Sequence, residues 1–515
     1  MHITLISPCA QINAAFGLRT LSAWLRDRGH TTRLLFLPDF DDYLDPADAR
    51  ETRLEPRVLD QVVSLCDGSG LIGVSVMTAH YRKAALFTDH LKGRLGVPIV
   101  WGGAHATARP EDALAHADMA CVGEGEDTLL DLVTRMEQRE AYADIPGLWV
   151  RHDGECRRNG LRPLAEDLDR FPVPDYSLQD HHILFDGRMT PLTHEIAELF
   201  SRPFYPANDF NRTGYLTLTS RGCPHRCAYC HNSMMKRLYA GQQFLRWRSI
   251  GHVIAELASI RAGMPYIDFV YICDDLFLAR TRASLAEFGA AYKGAIGLPF
   301  MCCTDPLAVN EEKMEVLVDA GMVGIQMGLE SGSPRIQQLF HRERMTNARM
   351  MRTVRIFNQY APAVMPYYDI IVDTPYETDD DKVRTLRLVA GLPRPFRLGV
   401  YALSLLPGTA LHEKAAQDGL VDDDTGDVYE KHFFVRQPTY LNLLMLLAQQ
   451  TRCPGRLIRL CTAAPLTRVL GSRVMQPVVA RLYRLLKRAH GRFIAPQRNP
   501  ALAAIKNRTG IASQR

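Results

Sequence analysis

Short apolar runs alternate with amphipathic stretches along most of this chain, and no other feature restricts its fold so tightly. In the first 136 residues, Ile3 to Ser7, Thr32 to Leu37, Leu71 to Val76, Ile99 to Trp101 and Met119 to Val122 read as strands. Between them, Leu18 to Arg28, Tyr81 to Leu95 and Asp127 to Met136 space apolar residues three or four apart, the period of a helix with one buried face. Strands joined through helices run parallel, so the pattern predicts a parallel sheet with helices on both faces. Ligands of such sheets sit beyond the carboxyl ends of the strands. Glycines gather there, in Gly102-Gly103-Ala104-His105 and in Gly123-Glu124-Gly125-Glu126.

A proline-spaced connector, Phe171-Pro172-Val173-Pro174-Asp175-Tyr176, interrupts the series. Alternation resumes with strands at Tyr215 to Thr219, Phe269 to Ile272, Phe300 to Cys303, Gly324 to Gly328, Tyr368 to Val372 and Val400 to Leu405. Six strand-helix units are too few for a closed eightfold barrel and suit a partial one, with its site at the carboxyl ends of the strands. The expected architecture is α/β: a Rossmann-like domain over 1–140, a linker over 141–209, a partial (β/α)6 TIM-like barrel over 210–415, and a basic, mainly helical region over 416–515.

Just past the first barrel strand stands Arg221-Gly222-Cys223-Pro224-His225-Arg226-Cys227-Ala228-Tyr229-Cys230, a C-x3-C-x2-C spacing. Twelve cysteines in 515 residues are too few for a disulfide scaffold, so a local cluster of three points to a metal centre. One reading is a structural zinc site completed by His225 or His231. The other is a 4Fe-4S cluster held by Cys223, Cys227 and Cys230, with one iron left open. Position at a barrel strand end favours the cluster.

The triplet, with Tyr229 at the aromatic position, resembles the signature of the radical S-adenosylmethionine enzymes. The resemblance implies that the open iron chelates S-adenosylmethionine and that reduction releases a 5'-deoxyadenosyl radical. Later matches follow in order. Asp274 and Asp275 resemble the element that contacts the methionine amino group, Glu330 and Ser331 the segment reaching its methionine or ribose part, and Leu406-Pro407-Gly408-Thr409 a late landmark. Each also has a plain structural role open to it, the Asp pair as a helix cap or turn. Asp373 stands where the family usually has Gly, either facing substrate or stiffening a turn.

The first unit resembles the cobalamin-binding domain of the class B, cobalamin-dependent subgroup, through Gly73 to Thr78, Trp101 to Thr107 and Val122 to Glu126. The resemblance implies cofactor contacts from Ser75, Thr78, Gly102, Gly103, His105, Gly123, Glu124 and Gly125. No Asp-x-His-x-x-Gly motif is present, so cobalamin would bind without that axial histidine. The implied activity is methylation of an unactivated carbon of a biosynthetic intermediate through methylcobalamin. The alternatives are a cobalamin-dependent cyclase or oxidoreductase and a zinc-stabilised, non-catalytic nucleotide-binding protein. No catalytic side chain is assigned. The implied partners are a small-molecule or lipid-like substrate and an external electron donor of flavodoxin or ferredoxin type, with no nucleic acid.

The net charge of +4 conceals a segregation: Lys431 to Arg515 holds 16 basic residues and no Asp or Glu, leaving 61 − 16 = 45 basic against 57 acidic residues before it, a net of −12. A basic amphipathic pattern over Leu470 to Ala489 suits either an anionic membrane surface or packing on the barrel. Apolar runs fall far short of the roughly 18 residues of a membrane span, and no signal peptide is apparent. The expected location is cytoplasmic, with peripheral contact at the inner membrane face as an option.

Overall fold

A computed structural model describes residues 1–8, 15–38, 54–152, 155–201, 210–421, 428–429, 435, 437–450 and 453–489. The end of the expected linker, 202–209, and much of the basic tail, including 490–515, lie outside them.

The first domain is a nine-stranded sheet of β1 (His2–Ser7), β2 (Thr31–Phe36), β3 (Leu71–Ser75), β4 (Ile99–Gly102), β5 (Met119–Cys121), β6 (Leu148–His152), β7 (Glu155–Arg158), β8 (His182–Phe185) and β9 (Arg188–Pro191). Their order is β7-β6-β5-β4-β3-β1-β2-β8-β9, with a parallel centre from β5 to β8. The order reverses between β1 and β3, the switch point where a crevice opens in sheets of this kind. The five parallel strands expected from apolar runs are all present.

Residues 141–201 do more than connect. The hairpin β6-β7 pairs antiparallel with β5, and β8-β9 extends the other edge beyond β2. The connector is pinned through Asp175, which accepts from Ser22 Oγ (2.5 Å) and the Ser177 amide (3.0 Å) and meets His181 Nε2 at 3.1 Å. Buried Arg19 donates to the Asp175 carbonyl (2.7 Å) and lies over the Tyr176 ring, 4.0 Å from its centroid.

The second domain is a six-stranded, all-parallel half-barrel. Its strands, in order β10-β13-β14-β15-β16-β17, are β10 (Gly214–Thr217), β13 (Phe269–Ile272), β14 (Phe300–Thr304), β15 (Met322–Glu330), β16 (Met365–Val372) and β17 (Arg397–Ala402). A two-stranded ribbon, β11 (Ser220–Arg221) with β12 (Arg246–Trp247), stands outside it. The last strand begins three residues earlier than the apolar run predicts.

The helices start where short polar side chains can satisfy free amides. Ser249, Thr281, Asn310, Thr346, Thr378, Thr409 and Thr439 each accept from the amide three residues on. Helix Ile250–Gly263 buries Val253, Leu257 and Ile260, one stripe against the barrel. Behind the barrel, helix Tyr440–Ala448 is buried along most of its length and three shorter or amphipathic helices follow, Gly455–Cys461, Ala464–Leu470 and Gln476–Ala489. No helix among the described residues is long and apolar enough to cross a membrane.

Asp373, just past β16, adopts φ 58°, and its side chain is buried. It accepts from Lys382 Nζ (2.6 Å), and Asn442 Nδ2 reaches both its oxygens at 3.0 Å. Of the two roles open to it in the sequence, this is the stiffened turn.

Candidate functional site

The cysteine loop leaves β10 through the β11 ribbon. Gly222 follows at φ 89°, and a Cβ there would lie 2.4 Å from the Phe244 carbonyl oxygen, so only glycine passes into Cys223. Cys227 is buried and Cys223 and Cys230 are half-buried. Backbone ties hold the loop: the Ala228 amide donates to Phe340 O (3.0 Å), and Leu411 donates to Ala228 O (2.9 Å). Burial dominates the thiols, pushing Cys223 up to about 12 and Cys230 to about 11 and raising Cys227 as well.

Among the described residues, no three His, Cys, Asp or Glu side chains converge on one metal ion. His225, one candidate fourth zinc ligand, is bonded to Asp305, whose carboxylate also accepts from the Leu307 (2.6 Å) and Ala308 (2.9 Å) amides. The donor set, three thiols on one short loop, fits a 4Fe-4S cluster, which cysteine thiolates hold.

Arg342 backs the middle cysteine. Its Nη1 donates to Cys227 Sγ (3.7 Å) and lies 3.9 Å from Glu330 Oε1, while Nη2 donates to Gly328 O (2.8 Å). Glu330 sits at φ 64°, a strained conformation for a residue with a side chain. Burial raises its carboxyl, against the pull of Arg342 and a hydrogen bond with Tyr229. Tyr229 sets its ring edge against Phe340, 4.9 Å between centroids. Tyr229 and Glu330 are thus gathered at Cys227, through an arginine that no motif flagged.

The aspartate pair divides. Asp274 is fully buried and accepts from the Thr219 amide (2.5 Å), Thr219 Oγ1 (2.5 Å) and the Ser220 amide (3.1 Å), so it anchors the start of the cysteine loop. Asp275 faces the cavity described below, close enough to Cys223 and Cys230 for its charge to raise both thiols. Its own carboxyl is raised by desolvation, with a hydrogen bond from Asn232 opposing. Ser331 is enclosed, bonded to Thr385 Oγ1 (3.2 Å) and to the Ser333 amide (3.1 Å).

A cavity of about 460 Å³ joins the two domains. The strand ends of the first domain contribute Ser75, Gly102, Gly103, Gly123, Glu124 and Gly125, and the barrel contributes Ser220, Arg221, Gly222 and Asp275. Glycines and apolar side chains such as Leu5, Val74 and Phe171 form much of the wall, chemistry suited to a flat macrocycle. Thr78 and His105 are absent from the lining. His105 is completely buried, bonded to Thr78 Oγ1 (3.3 Å) and enclosed by Tyr81 and Tyr429.

Ion pairs close the seam. Arg246 meets Glu124 with both nitrogens, at 2.6 and 3.0 Å, and Arg221 reaches Glu124 (3.3 Å) and Glu126 (2.6 Å). Burial pushes the Glu124 carboxyl up, but the two guanidiniums outweigh it and hold it below the usual range. Tyr239 Oη would stand 1.9 Å from a Cβ at Gly123, so the second domain packs directly on that glycine. These arginines escaped the sequence reading because a lone Arg beside a cysteine loop carries no recognisable spacing.

Residues 217–389 match the radical SAM superfamily and residues 5–133 the B12 binding domain. The bacteriochlorophyllide d C-8(2)-methyltransferase of Chlorobaculum tepidum is 36% identical over 393 residues, 73% of this chain and 74% of the relative. The anaerobic magnesium-protoporphyrin IX monomethyl ester cyclase of Synechocystis sp. is 26% identical over 218 residues, 42% of this chain and 37% of that relative. The solved structure of OxsB with aqua-cobalamin and S-adenosylmethionine bound shares the fold at a TM-score of 0.65 and 15% identity, covering 99% of this chain and 84% of that one. The chain belongs to the cobalamin-dependent radical S-adenosylmethionine enzymes.

Proposed function

We propose that this enzyme methylates an unactivated carbon of a small-molecule biosynthetic intermediate, with a 4Fe-4S cluster, S-adenosylmethionine and cobalamin as its cofactors. The observation that carries the reading is that one cavity puts the glycine strand ends of the first domain beside Asp275 and the cysteine loop. Bound together, the three groups supply a hydrogen-abstracting carbon radical and a transferable methyl group, chemistry that belongs to the cofactors.

The protein supplies placement. Cys223, Cys227 and Cys230 would hold the cluster, and Arg342 donates to the Cys227 sulfur, a contact of the kind that tunes cluster potential. Asp275, on the cavity wall, would receive the ammonium of S-adenosylmethionine, while Asp274 keeps the loop in position. Ser75, Gly102, Gly103, Gly123, Glu124 and Gly125 would border the corrin. The substrate is a small or lipid-like molecule, and the electron comes from an external flavodoxin- or ferredoxin-type donor.

Anaerobic reconstitution followed by product mass spectrometry tests the reading. A brown chromophore at about 400 nm, lost in Cys227→Ala, and a methylated product with two equivalents of S-adenosylmethionine consumed are expected. Deoxyadenosine formed with candidate substrates but without any methyl transfer overturns the methylation and points to the cyclase-type outcome. A colourless protein that binds zinc overturns the cluster.

A further inference from the structure

Exposed apolar side chains are concentrated in one place. Of thirteen large apolar residues exposed among the described residues, nine fall between Leu457 and Leu486. Helix Gln476–Ala489 packs on helix Tyr440–Ala448 through Val479 and Tyr483, both buried, and the Tyr483 hydroxyl donates to Val435 O at 2.9 Å. The stripe one residue round the helix, Val478, Leu482, Leu485 and Leu486, is exposed, and Val474 just before it is 85% exposed. The amphipathic pattern therefore exceeds what the barrel covers: a narrow seam docks inward and a wider apolar face remains.

The charges that this segment itself sets beside that face have one sign. Arg473, Arg481 and Arg484 are exposed beside the stripe, and no Asp or Glu occurs from Lys431 to the carboxyl terminus. We propose that helix Gln476–Ala489, with the exposed leucines and valines of the two helices before it, seats this enzyme on the surface of an anionic lipid bilayer. A bilayer interface meets both requirements at once, because acyl chains take the apolar row and headgroup phosphates take the arginines. Nucleic acid would satisfy only the charges. A second copy of this chain would bring the same basic face against itself, a repulsive juxtaposition. The seat is connected to the barrel mouth, since the underlying helix carries the Asn442 that holds Asp373 at the end of β16.

Flotation of the whole, cluster-loaded chain with phosphatidylcholine vesicles, and with mixed phosphatidylcholine and phosphatidylglycerol vesicles, tests the proposal. Binding to the mixed vesicles, weakening as salt rises, is expected. Arg481→Ala with Arg484→Ala should lower the partition coefficient roughly 25-fold, about fivefold for each charge removed. Leu482→Ser with Leu485→Ser should lower it on both vesicle types; all four side chains are exposed, so folding is retained. The proposal is overturned if the wild type floats with neither vesicle, or equally with both, or if neither double variant changes its binding. It is also overturned if sedimentation without vesicles shows a dimer that Leu482→Ser with Leu485→Ser dissolves, or if the chain binds a plain oligonucleotide and no vesicle.

Discussion

Replacing Arg246 with Ala should loosen the seam between the two domains without disturbing either core. Arg246 is 4% exposed and Glu124 19%. The substitution removes a two-point contact at 2.6 and 3.0 Å together with a bond to Ala165 O at 2.6 Å. Stripping one partner from a fully buried pair costs about 3–5 kcal/mol. Here Glu124 keeps Arg221 at 3.3 Å and is partly hydrated, so about 2–3 kcal/mol is expected, a factor of roughly 30 to 150 in local opening. Native-state hydrogen exchange followed by mass spectrometry reads that opening directly. Peptides covering 119–126 and 242–247 should exchange faster by this factor, while those covering β1 and β15 stay as in the wild type. In a Glu124→Gln background the same arginine substitution should cost under about 1 kcal/mol, because its main partner has lost its charge. Exchange within about threefold of the wild type in both seam peptides would refute the clamp.

Asp274→Asn places an amide where three donors from Thr219 and Ser220 converge, and should lower stability by about 1–3 kcal/mol; a variant of unchanged unfolding midpoint but raised KM for S-adenosylmethionine would show instead that Asp274 touches the cofactor. Asp369, on β16 inside the barrel, has its carboxyl raised to about 7 by burial, with Gln326 donating to it at 2.5 Å and Glu330 adding to the rise. The folded protein therefore holds a proton there that the unfolded chain releases at about pH 4, so the associated stability is full below that pH and is lost as pH rises through about 7. Asp369→Asn should consequently gain on the wild type between those limits, by up to roughly 4 kcal/mol at pH 8; parallel pH profiles in urea unfolding would refute the buried carboxyl.

The parallel strands were legible because each is a buried apolar run, and the barrel helices because capping residues and a one-faced stripe mark them. The edge hairpins were not. Glu155–Arg158 is exposed throughout and Arg188–Pro191 at both ends, and both owe their strand form to pairing with the neighbouring strand and not to an apolar pattern of their own. The cysteine triplet was legible because its ligands are adjacent in sequence. The residues that frame it come from far apart: Arg342 reaches Cys227 across 115 positions and Arg246 reaches Glu124 across 122. The aspartate pair showed the limit of motif reading, since neighbours in a loop end beyond a strand point to different places, one into the chain and one into the cavity.

The lock at Asp373 ties the carboxyl-terminal region to the barrel. Asp373 just past β16, Lys382 on the following helix and Asn442 on helix Tyr440–Ala448 form one buried polar set, and only the last belongs to the carboxyl-terminal region. A relative with glycine at that turn lacks the socket into which Asn442 fits. Grafting this carboxyl-terminal region onto such a barrel would bury Asn442 against an empty turn, so the tail is transferable only together with Asp373 and Lys382. The region that the sequence marks off as basic and mainly helical is, in the folded chain, keyed to its own barrel.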